Sequence, residues 1–226
     1  MTLFADLLDL FLHLDRHLAS AIEAYGTWTY ALLVGIIFAE TGLVFLPFLP
    51  GDSLLFAAGT FARRGSLNLV PLLTLLSAAA ILGDTVNYWV GKYLGQGMLR
   101  RKSRWIKEAH VRRTHEFFEK YGGKTIVMAR FVPIVRTMAP FVAGVGAMTY
   151  RSFVFYNIFG GILWVGACVL AGYWFGGLPV VRDNFTLVVL AIVVISVLPA
   201  VIEFWRVRRE MKKRPVAVTD GNAAHP

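Results

Sequence analysis

The chain has 226 residues, of which 57% are hydrophobic, with a net charge of +9 and a mean hydropathy of +0.60. A soluble domain of this size is near half apolar. Here the excess lies in long blocks, which predicts an integral membrane protein of one domain, 1–214, with a disordered tail at 215–226. The basic charge then speaks of topology and anionic lipid rather than nucleic acid, and a single cysteine, Cys168, excludes a disulfide framework or a CxxC metal pair.

Residues 3–24 place Leu3, Leu7, Leu10, Leu14 and Leu18 at helical intervals with Asp, His and Arg between them, which predicts an N-terminal amphipathic helix at the interface. The first twenty residues lack a basic leading region and carry Asp6, Asp9 and Asp15, so they are not read as a secretory signal peptide. His13 and His17 stand one turn apart, but nothing near them completes a coordination shell. They are read as a polar helix face, and no metal or cofactor is expected.

Trp28 to Phe45 reads as a first full span. The stretch from Glu40 to Gly59 is apolar yet holds Glu40, Asp52, Pro47, Pro50 and Gly51. A charge at membrane depth costs about 2.5–3.5 kcal/mol on insertion scales. Proline removes a backbone donor, and broken backbone survives in a bilayer only when buried in protein or lining a wet cavity. This stretch therefore reads as functional. Residues 53–61 are too short to cross ~30 Å alone, which predicts a re-entrant hairpin at about 46–62.

Residues 70–90 form a second full span carrying Asp84, Asn87 and Tyr88. From 92 to 124 come ten Lys or Arg against three Glu, a net +7, which the positive-inside rule puts in the cytoplasm. Within it, residues 105–121 have helical spacing and read as a surface helix; His110 and His115, five apart, are a poor ligand pair. Thr125 to Met148 is apolar apart from Arg130 and Arg136 and is interrupted by Pro133 and Pro140. Phe153 to Phe175 is a third span, with Asn157, Gly160, Gly161, Trp164 and Cys168 along one stripe. After a Gly176–Gly177–Pro179 turn, 185–205 is a fourth. The tail is basic again from Arg206 to Arg214.

Two basic segments on one side of the membrane, joined by two spans, require 125–148 to enter and leave on the same face. That predicts a second re-entrant hairpin, opposed to the first, and both termini in the cytoplasm. The two broken stretches also resemble each other. PFLPGDSLLFAAG (47–59) and PIVRTMAPFVAG (133–144) each start at proline, carry a charge, and close in an aromatic–small–Gly run. The expected fold is an all-α polytopic inverted repeat with about four full spans, its broken segments meeting near the midplane.

In that arrangement the first hairpin contributes Glu40 and Asp52 and the second Arg130 and Arg136. Two negatives and two positives offset the cost of burying either set. Asp84 and Asn87 are read as supporting residues on a packing seam, and Asn157 as satisfying re-entrant backbone. The spacings Gly91–Gly95 and Gly172–Gly176 permit a homodimer.

These features together resemble the DedA family of bacterial membrane proteins. The resemblance is carried by Glu40, PFLPGD (47–52), GDTVNYWVGKYLG (83–95), GGKTIVMARFVPIVRTMAPFVAGVGAM (122–148) and FVFYNIFGGILW (153–164), over about 25–175. It is strongest toward the enterobacterial-type members needed for alkaline growth and envelope integrity. The resemblance implies that two acidic residues and two arginines are essential, at Glu40, Asp52, Arg130 and Arg136. Asp52 stands where many members carry glutamate. It also implies a role in returning undecaprenyl phosphate across the bacterial inner membrane; eukaryotic relatives scramble phospholipids.

The residues suit such a task. Arginine presents a fixed fork of donors to phosphate oxygens, and protonation of Glu40 or Asp52 would release an arginine to bind a lipid phosphate, coupling movement to protons. A proton- or sodium-coupled transporter of a small solute or cation is the alternative. A lipid phosphatase would need a nucleophile and base, and no Ser–His pair or Asp-rich metal motif occurs in the apolar core, so an enzyme is not expected.

Overall fold

The computed structural model describes residues 14–43, 51–100, 123–146, 148–192, 194 and 198, and all regular structure among them is helical. In chain order the helices are α1 (Leu14–Tyr25), α2 (Thr29–Gly42), α3 (Gly51–Arg63), α4 (Leu69–Arg100), α5 (Lys124–Ala129), α6 (Pro133–Val145), α7 (Tyr150–Phe175) and the short α8 (Pro179–Asp183); residues 185–192 are also helical. Three stretches are long and apolar enough to cross a membrane: Arg16–Gly42, Leu69–Leu94 and Tyr150–Phe175.

Pro47 and Pro50, the surface helix at 105–121 with its two histidines, most of the fourth span at 185–205, and the tail at 215–226 lie outside the described residues. So do residues 1–13 with His13. Of the amphipathic N-terminal helix, the described part is α1, which buries Leu18 in the core.

α4 and α7 cross antiparallel at the centre. Tyr88 stacks on Phe153 with ring centroids 4.5 Å apart, Asn157 Nδ2 donates to Thr85 Oγ1 at 3.4 Å, and Ile81 packs on Gly161. α4 continues to Arg100, ten residues past its predicted end, because no proline follows Val90 to stop the ladder.

The stretch predicted as a full first span behaves differently. Gly26, at φ 52°, turns the chain between α1 and α2 through a left-handed conformation that favours glycine, so Arg16–Gly42 is not one straight rod. α2 has 14 residues, about 21 Å at 1.5 Å per residue, short of a ~30 Å hydrocarbon core. It runs parallel to α4: the Asn68 amide donates to Tyr30 Oη at 2.6 Å near their starts, and Gly42 meets Gly83 further along. α3 then runs back antiparallel, in step with α7: Asp52 faces Trp164, and Thr60 faces Gly176. Thus α2 and α3 are two limbs of one helical hairpin whose open end lies at Asn68. The limbs are 29–42 and 51–63, and α2 is the C-terminal part of the Arg16–Gly42 stretch that is long and apolar enough to cross a membrane.

The second half repeats this. α5 runs parallel to α7, with Gly123 against Tyr156 and Val127 against Gly160. α6 turns back beside α4, with Thr137 next to Asn87 and Phe141 against Gly91. The turn is at Arg130–Val132, where Val132 is extended (φ −119°, ψ 106°) and Pro133 opens α6 in the position where its missing N–H costs least. Pro140 was expected to break the backbone as well. It lies inside α6 without ending it: its fixed φ suits a helix, although the donor to the Arg136 carbonyl is lost and the ring crowds that carbonyl.

Equivalent glycines seal the two crossings. Gly59 lies on the Val169 carbonyl and Gly172 on that of Phe56; Gly144 lies on the Tyr88 carbonyl and Gly91 on that of Phe141. A Cβ at any of the four would strike the opposing main chain, so close backbone approach requires glycine there. Gly91 and Gly172 are therefore used inside the chain, and a homodimer would need other surfaces.

Candidate functional site

The C-terminal end of α2, the start of α3 and the α5–α6 turn meet midway along α4 and α7, and the charged residues sit there. Glu40 is in the last turn of α2, Asp52 in the first turn of α3, Asp84 and Asn87 at mid-α4, Arg130 in the α5–α6 turn, Arg136 in the first turn of α6, and Asn157 on α7. Glu40, Asp84, Arg130 and Arg136 are all buried, whereas the Asp52 side chain is 18% exposed.

The charges form two clusters. In the first, the Arg136 guanidinium spans both carboxylates of the first hairpin: Nη1 donates to Asp52 Oδ1 at 2.7 Å and Nη2 to Glu40 Oε1. The Trp164 indole N–H donates to the same Asp52 oxygen at 2.8 Å, and the Arg136 Cζ lies 4.8 Å from the Trp164 ring centroid. In the second cluster, Arg130 Nη2 donates to Asp84 Oδ2 and, at 2.5 Å, to Asn157 Oδ1.

Local electrostatics makes the first cluster poised. A carboxylate at a helix C-terminus and a cation at an N-terminus each oppose the helix dipole, by about 0.3–1 kcal/mol. Glu40 at the end of α2 and Arg136 at the start of α6 are both in that position, and each relieves the other. The Glu40 carboxylate also lies against Gly51, the first residue of α3, where the dipole favours it and where a Cβ would displace it from its present position. Asp52, in the first turn of α3, is favourably placed.

Three expectations about these residues change. Asp84, expected as a supporting residue, is the direct ion-pair partner of Arg130, so the site holds three carboxylates and two guanidiniums, a surplus of one negative charge with all five ionised, instead of two balanced pairs. Asn157 does not satisfy hairpin backbone; it orients Arg130 and donates to the Ile81 carbonyl of α4 at 3.0 Å. That task belongs to Asn87, whose Nδ2 donates to Thr137 O at 2.7 Å and Thr41 O at 3.3 Å and so ties both tips to α4. Trp164 was visible only as one member of the α7 stripe. A lone tryptophan beside glycines carries no local sign of an ionic partner.

Among the described residues no group of three or more His, Cys, Asp or Glu converges as a metal site. A separate polar cavity of about 700 Å³ lies at the α3–α4 turn, lined by Tyr30, Ser66, Asn68 and Tyr173, and holds none of the predicted charged residues.

Comparison with known proteins agrees on kinship. The VTT domain family matches residues 49–174. Protein DedA of Escherichia coli is 50% identical over 212 residues, covering 92% of this chain and 97% of that protein. An uncharacterized membrane protein of Mycobacterium tuberculosis is 41% identical, covering 88% and 90%. The inner membrane protein YqjA of Escherichia coli is 37% identical, covering 67% and 69%. No solved structure matches.

Proposed function

This chain belongs to the DedA family of membrane proteins, whose VTT domain it carries, and from that premise we propose that it transports a polyprenyl phosphate such as undecaprenyl phosphate across the bacterial inner membrane. The observation that carries the reading is Arg136, buried where two hairpin tips meet and shared between Glu40 and Asp52. Its planar fork fits two phosphate oxygens as well as it fits two carboxylates. The head group would exchange with the carboxylates while the polyprenyl chain stays in lipid.

The surplus negative charge supports proton coupling. Two carboxylates compete for one guanidinium, so a proton on Glu40 or Asp52 would balance the buried charge and free part of the fork. Asp52, the more exposed of the two, is the natural point of exchange with water. The hairpins α2–α3 and α5–α6 are read as re-entrant from opposite faces, with the basic 92–124 segment and the basic tail in the cytoplasm. With no crossing before α4, that puts the N-terminus on the other face, whereas the expectation of both termini in the cytoplasm requires a full first span. No hydrolytic step is assigned to the site, and no nucleic-acid partner is proposed for it.

The test is reconstitution in proteoliposomes with a fluorescent polyprenyl phosphate, with and without a pH gradient. Movement that needs Arg136 and responds to the gradient supports the reading; wild-type vesicles no faster than empty ones would end it. A second reading draws on the same charge surplus: a net negative buried site also suits a coupled transporter of a small cation. Uptake of sodium or potassium by the same vesicles, without lipid movement, would favour it.

A further inference from the structure

Trp164 touches both charge clusters. Its indole N–H holds Asp52 at 2.8 Å, its ring face lies 4.8 Å from the Arg136 Cζ, and the Arg130 Cζ is 6.0 Å from its centroid. The residue is 2% exposed. A buried tryptophan usually finds one acceptor for its N–H, and any carbonyl would serve. Here the acceptor is one half of an ion pair, and the ring face holds the other half. An arginine stacked on an indole keeps its in-plane N–H fork free for another ligand. A carboxylate tethered by an indole N–H can leave the arginine and still remain in place.

We propose that Trp164 is the positioning residue of the exchange: it holds Arg136 by its face and Asp52 by its edge, so that the pair parts and re-forms around a phosphate group without either member leaving the site. This rests on the transport reading above. The charged and titratable groups around the indole are Glu40 from α2, Asp52 from α3, Asp84 from α4, Arg130 from the α5–α6 turn, Arg136 from α6 and Cys168 one turn along α7.

Two variants of the full reconstituted chain separate the two contacts. Trp164→Phe keeps a ring face and loses the N–H; Trp164→Leu loses both. A hydrogen bond to a charged group is worth about 1.5–3 kcal/mol, or about tenfold and more. For Trp164→Phe the expected result is a near-normal KM for the fluorescent polyprenyl phosphate, a kcat about tenfold lower, and a displaced pH profile of transport. For Trp164→Leu the KM rises as well, by about thirtyfold, because a desolvated cation–π contact of about 2 kcal/mol is lost. If both variants are merely less thermostable, with kcat, KM and pH profile per folded molecule unchanged, Trp164 is structural and the proposal falls.

A second measurement does not depend on transport. In a chain whose Trp28, Trp89, Trp105, Trp174 and Trp205 are replaced by Phe, Trp164 emission should change on adding the lipid phosphate, and not with the corresponding neutral polyprenol. The same titration with inorganic phosphate tells a bound head group from a free anion. No response to either phosphate overturns the proposal. If wild type moves no lipid, the transport reading fails by itself, and the emission titration still decides whether Trp164 reports a phosphate at Arg136.

Discussion

Arg136 and Asp52, 84 positions apart in the chain, are joined at 2.7 Å, while the second Arg136 nitrogen goes to Glu40. One cation therefore serves both carboxylates of the first hairpin. A lysine offers a point charge on a flexible stem and cannot present two parallel donors in one plane. Arg136→Lys should keep the fold and lower lipid phosphate transport by tenfold or more, an effect of about 1.4 kcal/mol or greater; transport near the wild-type rate would show that the fork is not needed. Glu40→Gln should abolish the response to a pH gradient, measured in the same vesicles.

The Arg130–Asp84 pair makes a different prediction, because Asn157 completes it and it holds no second carboxylate. Removing one partner of a buried pair strands the other, at about 3–5 kcal/mol, whereas replacing both is often near neutral. Asp84→Asn and Arg130→Gln should each lower the thermal midpoint markedly in detergent. The double variant should lose much less than the sum of the two. Additive losses would mean the two residues do not act as a pair.

Asn87 donates one amide group to the carbonyls of Thr41 and Thr137, one in each hairpin. Asn87→Ala should leave both tips less protected, at about 1–3 kcal/mol for buried groups left unpaired. Hydrogen exchange should accelerate together around 40–43 and 136–141 and stay unchanged at the outer ends of α4 and α7. Acceleration at only one tip would contradict the shared clamp.

The glycine pairs predict equal penalties in the two halves. Gly172→Ala and Gly91→Ala each push a methyl group into the main chain of the opposing short helix, at Phe56 and Phe141. Overpacking of this kind costs about 1–3 kcal/mol. Thermal unfolding should fall by similar amounts for both, and a penalty in one half alone would show that the two crossings are not equivalent.

The hairpin reading can be checked from the water side. In a Cys168→Ser background, cysteines placed at Tyr30 and Asn68 should react with an impermeant reagent from the same face, because the two residues are in contact near the starts of α2 and α4. A cysteine at Lys92, toward the other end of α4, should react from the opposite face. Labelling of Tyr30→Cys and Lys92→Cys from one side would restore a full first crossing.

The apolar runs, the break before Pro133, the basic segment after residue 92 and the four charges in membrane sequence were all legible from composition and order, because the cost of burying a charge or breaking a helix in lipid is a local matter. Which charge meets which was not legible. Hydropathy cannot say which face of α4 or α7 turns toward a hairpin tip, so Asp84 as the partner of Arg130, Asn87 as the clamp and Trp164 as the contact shared by both clusters emerged only from packing between residues 46 to 112 positions apart. The first hairpin shows the same division. Its apolar length resembled a full span, and the φ of Gly26 and the contact between Tyr30 and Asn68 made it one limb of a pair. Pro140 marks the reverse case: a local signal for a break, overridden because the proline's dihedral fits a helix already packed against α4.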